Sequence, residues 1–277
     1  MFWTKFLEIL DARMETPACY GWFHILFLVL MILLTVYLCI SRKKDSADRV
    51  RHFVLGVSVL VLLLEVYKQI NYSFSYTDGN IVYDFQWYAF PFQFCSTPMY
   101  VGLLAGLIKK GKIHDALCAY LATYAVFAGL CVMIYPGDVF ISTIGINIQT
   151  MICHGVMIPI GAYLFATGHV KLESKTILKA IPVFAVAVLM AMTMNEIAHA
   201  SGLLERETFN MFYFSPYCDP SLPVYSIVQG IILYPWSLII YIVGFSAAAF
   251  LMLLGAMGIH KLYRKLSSRK SSVVVSA

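Results

Sequence analysis

Trp22-Phe23-His24-Ile25-Leu26-Phe27-Leu28-Val29-Leu30-Met31-Ile32-Leu33-Leu34-Thr35-Val36-Tyr37-Leu38-Cys39-Ile40-Ser41 contains no Asp, Glu, Lys or Arg, and Arg42-Lys43-Lys44 follows it at once. A helix of this length covers about 30 Å, the thickness of a bilayer's hydrocarbon core. The residues ahead of it are acidic (Glu8, Asp11, Glu15) where a secretory leader is basic, so the run reads as a first membrane span and not as a cleavable signal. Of the 277 residues, 60% are apolar and 15% aromatic, with a mean hydropathy of +0.77. A soluble domain has no interior large enough for that much apolar surface; a bilayer solvates it instead. The net charge of +5 is too small and too unevenly placed for a nucleic-acid partner. Seven cysteines without a paired spacing suggest neither a disulfide framework nor a zinc site, and no metal or cofactor is expected.

Seven runs have spanning length: about 22–41, 51–71, 92–108, 113–134, 141–166, 177–200 and 225–258. They predict an all-α polytopic membrane protein with residues 1–260 in one seven-helix domain. The last run exceeds what a crossing needs, and Pro235 offers a kink point. Sixteen of the twenty Lys and Arg fall after spans one, three, five and seven, in the groups Arg42 to Arg51, Lys109 to Lys112, Lys171 to Lys179 and Lys261 to Lys270. The alternate segments hold Lys5, Arg13 and Arg206 among Asp78, Asp84, Asp138, Glu205, Glu207 and Asp219. Positive charge marks the cytoplasmic side, which predicts an outer N-terminus and a cytoplasmic C-terminus, in the plasma membrane or, in a eukaryote, the endoplasmic reticulum. The basic, Ser- and Val-rich residues 261–277 read as a disordered tail.

Ionisable groups inside a span cost about 2.5–3.5 kcal/mol each on insertion scales, so each is a candidate site residue. With this topology they gather in the outer half: Glu65, Lys68 and Gln69 on the second span, Gln93 and Cys95 on the third, Gln149 and His154 on the fifth, Asn195, Glu196 and His199 on the sixth, and Asn210 and Tyr213 in the loop before the seventh. The inner stretches 101–107 and 158–166 are nearly free of them. An outward-opening polar cavity above an apolar layer accommodates the whole set. Structural roles are also open: Glu65 and Lys68, spaced i, i+3, neutralise one another, and His154 and Asn195 suit interhelical hydrogen bonds.

Cys95 lies between Pro91 and Pro98 at the start of the third span. A thiol attacks only as a thiolate, and apolar burial opposes ionisation, so a nucleophilic Cys95 needs a base. His154 supplies one, although about 10 Å deeper by residue count. His199 matches Cys95 better in depth.

Seven spans, Pro91-x-x-x-Cys95, a mid-span His154, Asn195, and Phe209-Asn210-Met211-Phe212-Tyr213-Phe214-Ser215-Pro216 before the last span resemble the YwaF-like integral membrane family, which includes a eukaryotic transmembrane cysteine acyltransferase. The chain departs from that pattern at Phe92 and Phe94, where leucines are usual, at Gln93, where a histidine is frequent, and at Cys153, where a second histidine often stands. The resemblance implies that Cys95 takes an acyl chain from a membrane phospholipid as a thioester and passes it to a lysophospholipid, or to water as a hydrolase. His154 then serves as base and acid, and Asn195, Asn210 or Tyr213 as oxyanion donor. Two other classes stay open: an outward-opening or proton-coupled carrier using Glu65 and Lys68, and a non-catalytic seven-helix sensor. A retinal-type sensor is disfavoured, because 225–258 holds no lysine. Cys19 and Cys218 share the outer side, with pairing left open.

Overall fold

The computed structural model describes residues 2–77, 79–219 and 222–275; Asp78 and the side chains of Arg269 and Lys270 lie outside the described residues. The chain is mostly helical, about 71%. It opens with α1 (Phe2–Leu10), α2 (Trp22–Ser41) and α3 (Ala47–Ser73), followed by a hairpin of β1 (Phe74–Thr77) and β2 (Asn80–Tyr83) paired antiparallel with Phe74 opposite Tyr83. Then come α4 (Thr97–Leu107), α5 (Lys112–Tyr120), α6 (Val126–Ile134), α7 (Ile144–Gly155), α8 (Met157–Ala166), α9 (Thr176–Ala200), α10 (Pro223–Ile231) and α11 (Trp236–Val275). Among the described residues six helices are long and apolar enough to cross a membrane: α2, α3, Lys112–Ile134, Ile144–Ala166, α9 and Trp236–Leu266.

The third expected span, 92–108, is only an 11-residue helix. At 1.5 Å per residue α4 covers about 16 Å, half a hydrocarbon core. Its late start has a local cause: the Gln93 carbonyl accepts from Ser96 N–H at 2.9 Å, Thr97 N–H at 3.0 Å and Thr97 Oγ1 at 2.9 Å, which closes a turn. Pro98 then falls in the first helical turn, where its missing N–H is harmless. The expected run 225–258 is two helices, because Pro235 has no N–H with which to continue α10. α11 continues past Leu266 to Val275. A helix already nucleated propagates readily through Lys, Arg and Leu.

Lys112–Ile134 and Ile144–Ala166 form the centre of the bundle, with 67% and 61% of their apolar windows buried, against 17% for α2. Tyr120, Tyr124, Tyr163 and Phe184 are fully buried there. By contrast α2 exposes Leu26, Val29, Leu30, Leu33 and Val36, a face only lipid can solvate. α4 reaches α3 through Gly102 and Gly106; a Cβ on Gly106 would sit 2.5 Å from Leu55 Cβ. Small residues four apart allow that close backbone approach. Beyond α1, the Met14 N–H donates to Ser142 O at 2.8 Å and the Ile144 N–H to Ala12 O at 3.0 Å, which ties the N-terminal segment across the start of α7.

At the basic end, Asp45 joins three elements. It accepts from Tyr163 Oη at 2.6 Å and Arg42 Nε at 2.6 Å, and its side chain is only 7% exposed. The Tyr163 hydroxyl first, and Arg42 second, hold its carboxyl below the ordinary carboxylate range. A depressed folded value means stabilisation that is present above the unfolded value near 3.9 and is lost as pH falls through the folded one. Asp45→Asn is expected to lower the thermal midpoint in detergent at pH 7 and to flatten its decline below pH 4. Equal midpoints at pH 7 for the two proteins would remove this anchor.

Candidate functional site

His154 sits in the last turn of α7, just ahead of a break. Pro159 cannot donate to the Gly155 carbonyl and crowds it, so the helix stops and restarts as α8 at Met157. The break is gripped from α6, where a Cβ on Gly129 would lie 2.6 Å from the His154 carbonyl oxygen. Nδ1 of His154 lies 2.7 Å from Thr150 O. A carbonyl only accepts, so Nδ1 carries the ring proton and Nε2 keeps its lone pair.

Cys95 stands in the turn before α4, and its side chain is within hydrogen-bonding reach of His154. The depth difference expected from residue counting is removed by the irregular segment 84–96, which carries Cys95 inward before the helix begins. Phe94 fixes the turn: its ring packs against Phe245 at 4.9 Å, Phe184 at 5.8 Å and Phe212 at 5.9 Å. Cys95 and His154 are both half-buried.

Glu65 is buried beside them. Its Oε1 pairs with Lys68 Nζ at 2.8 Å and accepts from Gln69 Nε2 at 2.8 Å; its Oε2 accepts from Gln149 Nε2 at 3.4 Å. Gln69 also donates to Ala89 O at 2.8 Å, which ties α3 to the segment leading into Cys95. Thr150, whose carbonyl anchors His154, follows Gln149 directly. The expected cluster of Glu65, Lys68, Gln69 and Gln149 therefore forms one network against the Cys95–His154 pair.

Of the amides expected as oxyanion donors, Asn195 has its NH2 engaged with backbone, whereas Asn210 is bonded through its carbonyl oxygen; Gln93, expected in the cavity, also binds backbone. Asn195 donates to Met211 O at 3.0 Å and accepts from Met211 N–H at 2.8 Å. Gln93 donates to Asn210 O at 3.0 Å and accepts from Phe212 N–H at 2.7 Å. Asn210 Oδ1 accepts from Ser215 N–H at 2.9 Å. These bonds hold loop 209–217, in which Phe212 and Tyr213 both adopt φ 59, a left-handed conformation that bulky residues avoid. Tyr213 is close enough to feel charge on Cys95; burial, with that charge second, pushes its phenol up to about 12. It remains a protonated donor at neutral pH. Glu196 and His199 do not join the cavity. Both are exposed on α9, where His199 stacks on Tyr217 at 3.7 Å and Glu196 accepts from Tyr217 Oη at 2.9 Å. Cys19 and Cys218 are both free thiols.

Two recesses flank the centre. A narrow apolar crevice of about 20 Å³ is lined by Val57, Val61, Met99, Cys153, Val156 and Met157. Reading by residue type missed it, since its liners look like ordinary core. A polar recess of about 550 Å³ lies between α1 and the hairpin, lined by Asp11, Arg13, Asn71, Tyr72 and Tyr88 among others.

Residues 19–257 match the family model described as TMEM164 family. The chain belongs to the TMEM164 family. No match to it was found among curated proteins or among solved structures. Family membership and six long apolar helices together make this TMEM164-family chain an integral multi-pass membrane protein. The match covers α2 to α9 and most of α11, and so contains every residue of the site above.

In this TMEM164-family chain, Asn195→Ala leaves the buried Met211 N–H and C=O without partners, at about 1–3 kcal/mol for each orphaned group. Thermal unfolding in detergent is expected to show a clear fall in midpoint for Asn195→Ala, a smaller one for Asn195→Asp, which keeps the acceptor, and none for the exposed Glu196→Ala. Indistinguishable midpoints for all three would show that the loop is held by other means.

Proposed function

We propose that the protein is a membrane-embedded cysteine acyltransferase that moves a fatty acyl chain between a phospholipid and a lysophospholipid. The observation that carries this reading is the Cys95–His154 contact, with the far nitrogen of the imidazole committed to Thr150 O. A nucleophile, a base within reach and a third group orienting the base make up the general arrangement for covalent catalysis.

In the first half-reaction His154 Nε2 takes the Cys95 proton as Sγ attacks the ester carbonyl carbon. The tetrahedral intermediate collapses, the carbon–oxygen bond breaks, and Nε2 returns the proton to the departing lysophospholipid oxygen. A second lysophospholipid hydroxyl then gives its proton to Nε2 and attacks the thioester; the thiolate leaves and is reprotonated. Tyr213 is the side chain we favour for the oxyanion, because its phenol stays protonated and lies near enough to Cys95 to feel its charge, whereas the NH2 groups of Asn195 and Gln93 are engaged with backbone. Glu65 is held by Lys68, Gln69 and Gln149, which favours a role in shaping the site over that of a carrier's mobile proton group.

The same reading includes seven crossings, with α4 and the irregular residues before it as the third, an outer N-terminus and a cytoplasmic C-terminus, in the plasma membrane or the endoplasmic reticulum. The alternation of basic and acidic loops supports it.

Purified protein in phospholipid nanodiscs is expected to gain the mass of an acyl group, which neutral hydroxylamine removes and Cys95→Ser prevents. His154→Gln is expected to slow acyl transfer by about 10²–10⁴-fold, the range for loss of a general acid–base. Undiminished acyl exchange by folded Cys95→Ala would overturn the proposal.

A further inference from the structure

At the basic end of the bundle, about 15 Å along α4 from Cys95, a second cluster forms from residues that the chemistry above does not use. His114 and Cys118 are four apart on α5 and share one face; His169 comes from the turn between α8 and α9, next to Gly168 at φ 72. The three side-chain donor atoms lie within 4.8 Å of one another, the one such trio of His, Cys, Asp or Glu found among the described residues. His114 is 4% and Cys118 2% exposed, and His169 is half-buried.

We propose that His114, Cys118 and His169 bind a divalent transition metal, Zn²⁺ being the fitting ion. Two imidazoles and a thiolate form a borderline-soft donor set suited to it. The first histidine is already oriented. Nδ1 of His114 lies 3.1 Å from Ala105 O, which places its proton there and leaves the Nε2 lone pair facing the cluster. A backbone carbonyl in that position is the usual outer partner of a metal-bound imidazole. Distances agree as well. Zn–N of about 2.0–2.1 Å and Zn–S of about 2.3 Å in a tetrahedron place N and S about 3.5 Å apart and two nitrogens about 3.3 Å apart. Cys118 Sγ is 3.5 Å from His114 Nε2. The two Nε2 atoms are 2.7 Å apart, sharing a proton, so His169 has only to withdraw by about 0.6 Å within its turn to admit the ion.

Binding balances as follows. The His169 ring proton moves from Nε2 to Nδ1, the Cys118 thiol proton is released to solvent, and both lone pairs and the thiolate fall to the metal. Three protein ligands leave a fourth position for water or an exogenous donor, the coordination of an open site. Asp115, held to Lys179 only at 3.9 Å, adds negative charge beside it. Cysteine spacing gave no sign of this trio: its sequence signal is a single His-x-x-x-Cys pair, too short to single out without the fold to bring His169 to it.

The test uses the full chain, purified in detergent without a polyhistidine tag, incubated with Zn²⁺ and desalted. Stoichiometric zinc by mass spectrometry is expected, with release of one proton on binding. His169→Ala is expected to weaken binding by at least about 10–100-fold, the scale on which even outer-shell losses act. Co²⁺ is expected to give a thiolate-to-cobalt charge-transfer band that Cys118→Ser abolishes and Cys95→Ser preserves. Because His169→Ala removes a packing contact, the conservative Cys118→Ser spectrum keeps the test independent of folding. Sub-stoichiometric zinc in wild type, or a band that follows Cys95 instead of Cys118, overturns the site.

Discussion

Two irregular backbone segments meet inside a helical bundle, and their peptide groups must be satisfied by side chains because helical ladders do not reach them. Gln93 and Asn195 each use both ends of a carboxamide to bind backbone of the 209–217 loop, and Asn210 adds a fifth bond within it. Polar backbone away from water costs several kcal/mol per unpaired group in hydrocarbon, so these amides are a condition for non-helical chain at this place. The consequence reaches Tyr213 and Phe212, whose left-handed conformation persists only because the surroundings over-determine it. It also reaches Cys95, whose turn is pinned by the Gln93 carbonyl on one side and the Phe94 ring on the other.

The opposite wall is shaped by absence of bulk and of a donor. Gly129 lets α6 touch the His154 carbonyl, and Pro159 interrupts the helix one turn beyond it. The break follows His154 directly, and the half-buried Cys95 reaches His154 from the turn before α4. The network of Glu65 with Lys68, Gln69 and Gln149 closes the third side, so three helices that share no sequence proximity fix one thiol–imidazole contact.

Much of this was legible from the chain. Hydrophobic length alone located six of the long helices, because 20 apolar residues have one stable use in a bilayer. Cys95 and His154 stood out because a reactive pair needs those two types, and Glu65, Lys68, Gln69 and Gln149 because buried charge needs partners. Other residues were misassigned where residue type underdetermines partner. An amide in a span serves a substrate or a loop equally well, so residue type alone did not show that Asn195, read as a donor, and Gln93, read as a cavity residue, bind the 209–217 backbone. Glu196 and His199 lie on α9's outer face, which its weak periodicity could not distinguish from the inner one. The shortness of α4 depended on one carbonyl, that of Gln93, closing a turn, and apolar content is blind to such a choice. His169 could not be linked to His114 across 55 residues without the α8–α9 turn.

The Thr150 anchor on His154 has a consequence for energy coupling. With Nδ1 tied to a carbonyl that cannot carry a proton onward, the imidazole has one edge at which protons enter and leave. Under the proposed chemistry, the proton gained from a nucleophile departs with the leaving oxygen at that same edge, and none is conducted toward either face of the membrane. Acyl exchange by that proposed route would be electrically silent: neither the membrane potential nor a pH difference across the bilayer would enter its driving force, which would be set by the composition of the lipids alone.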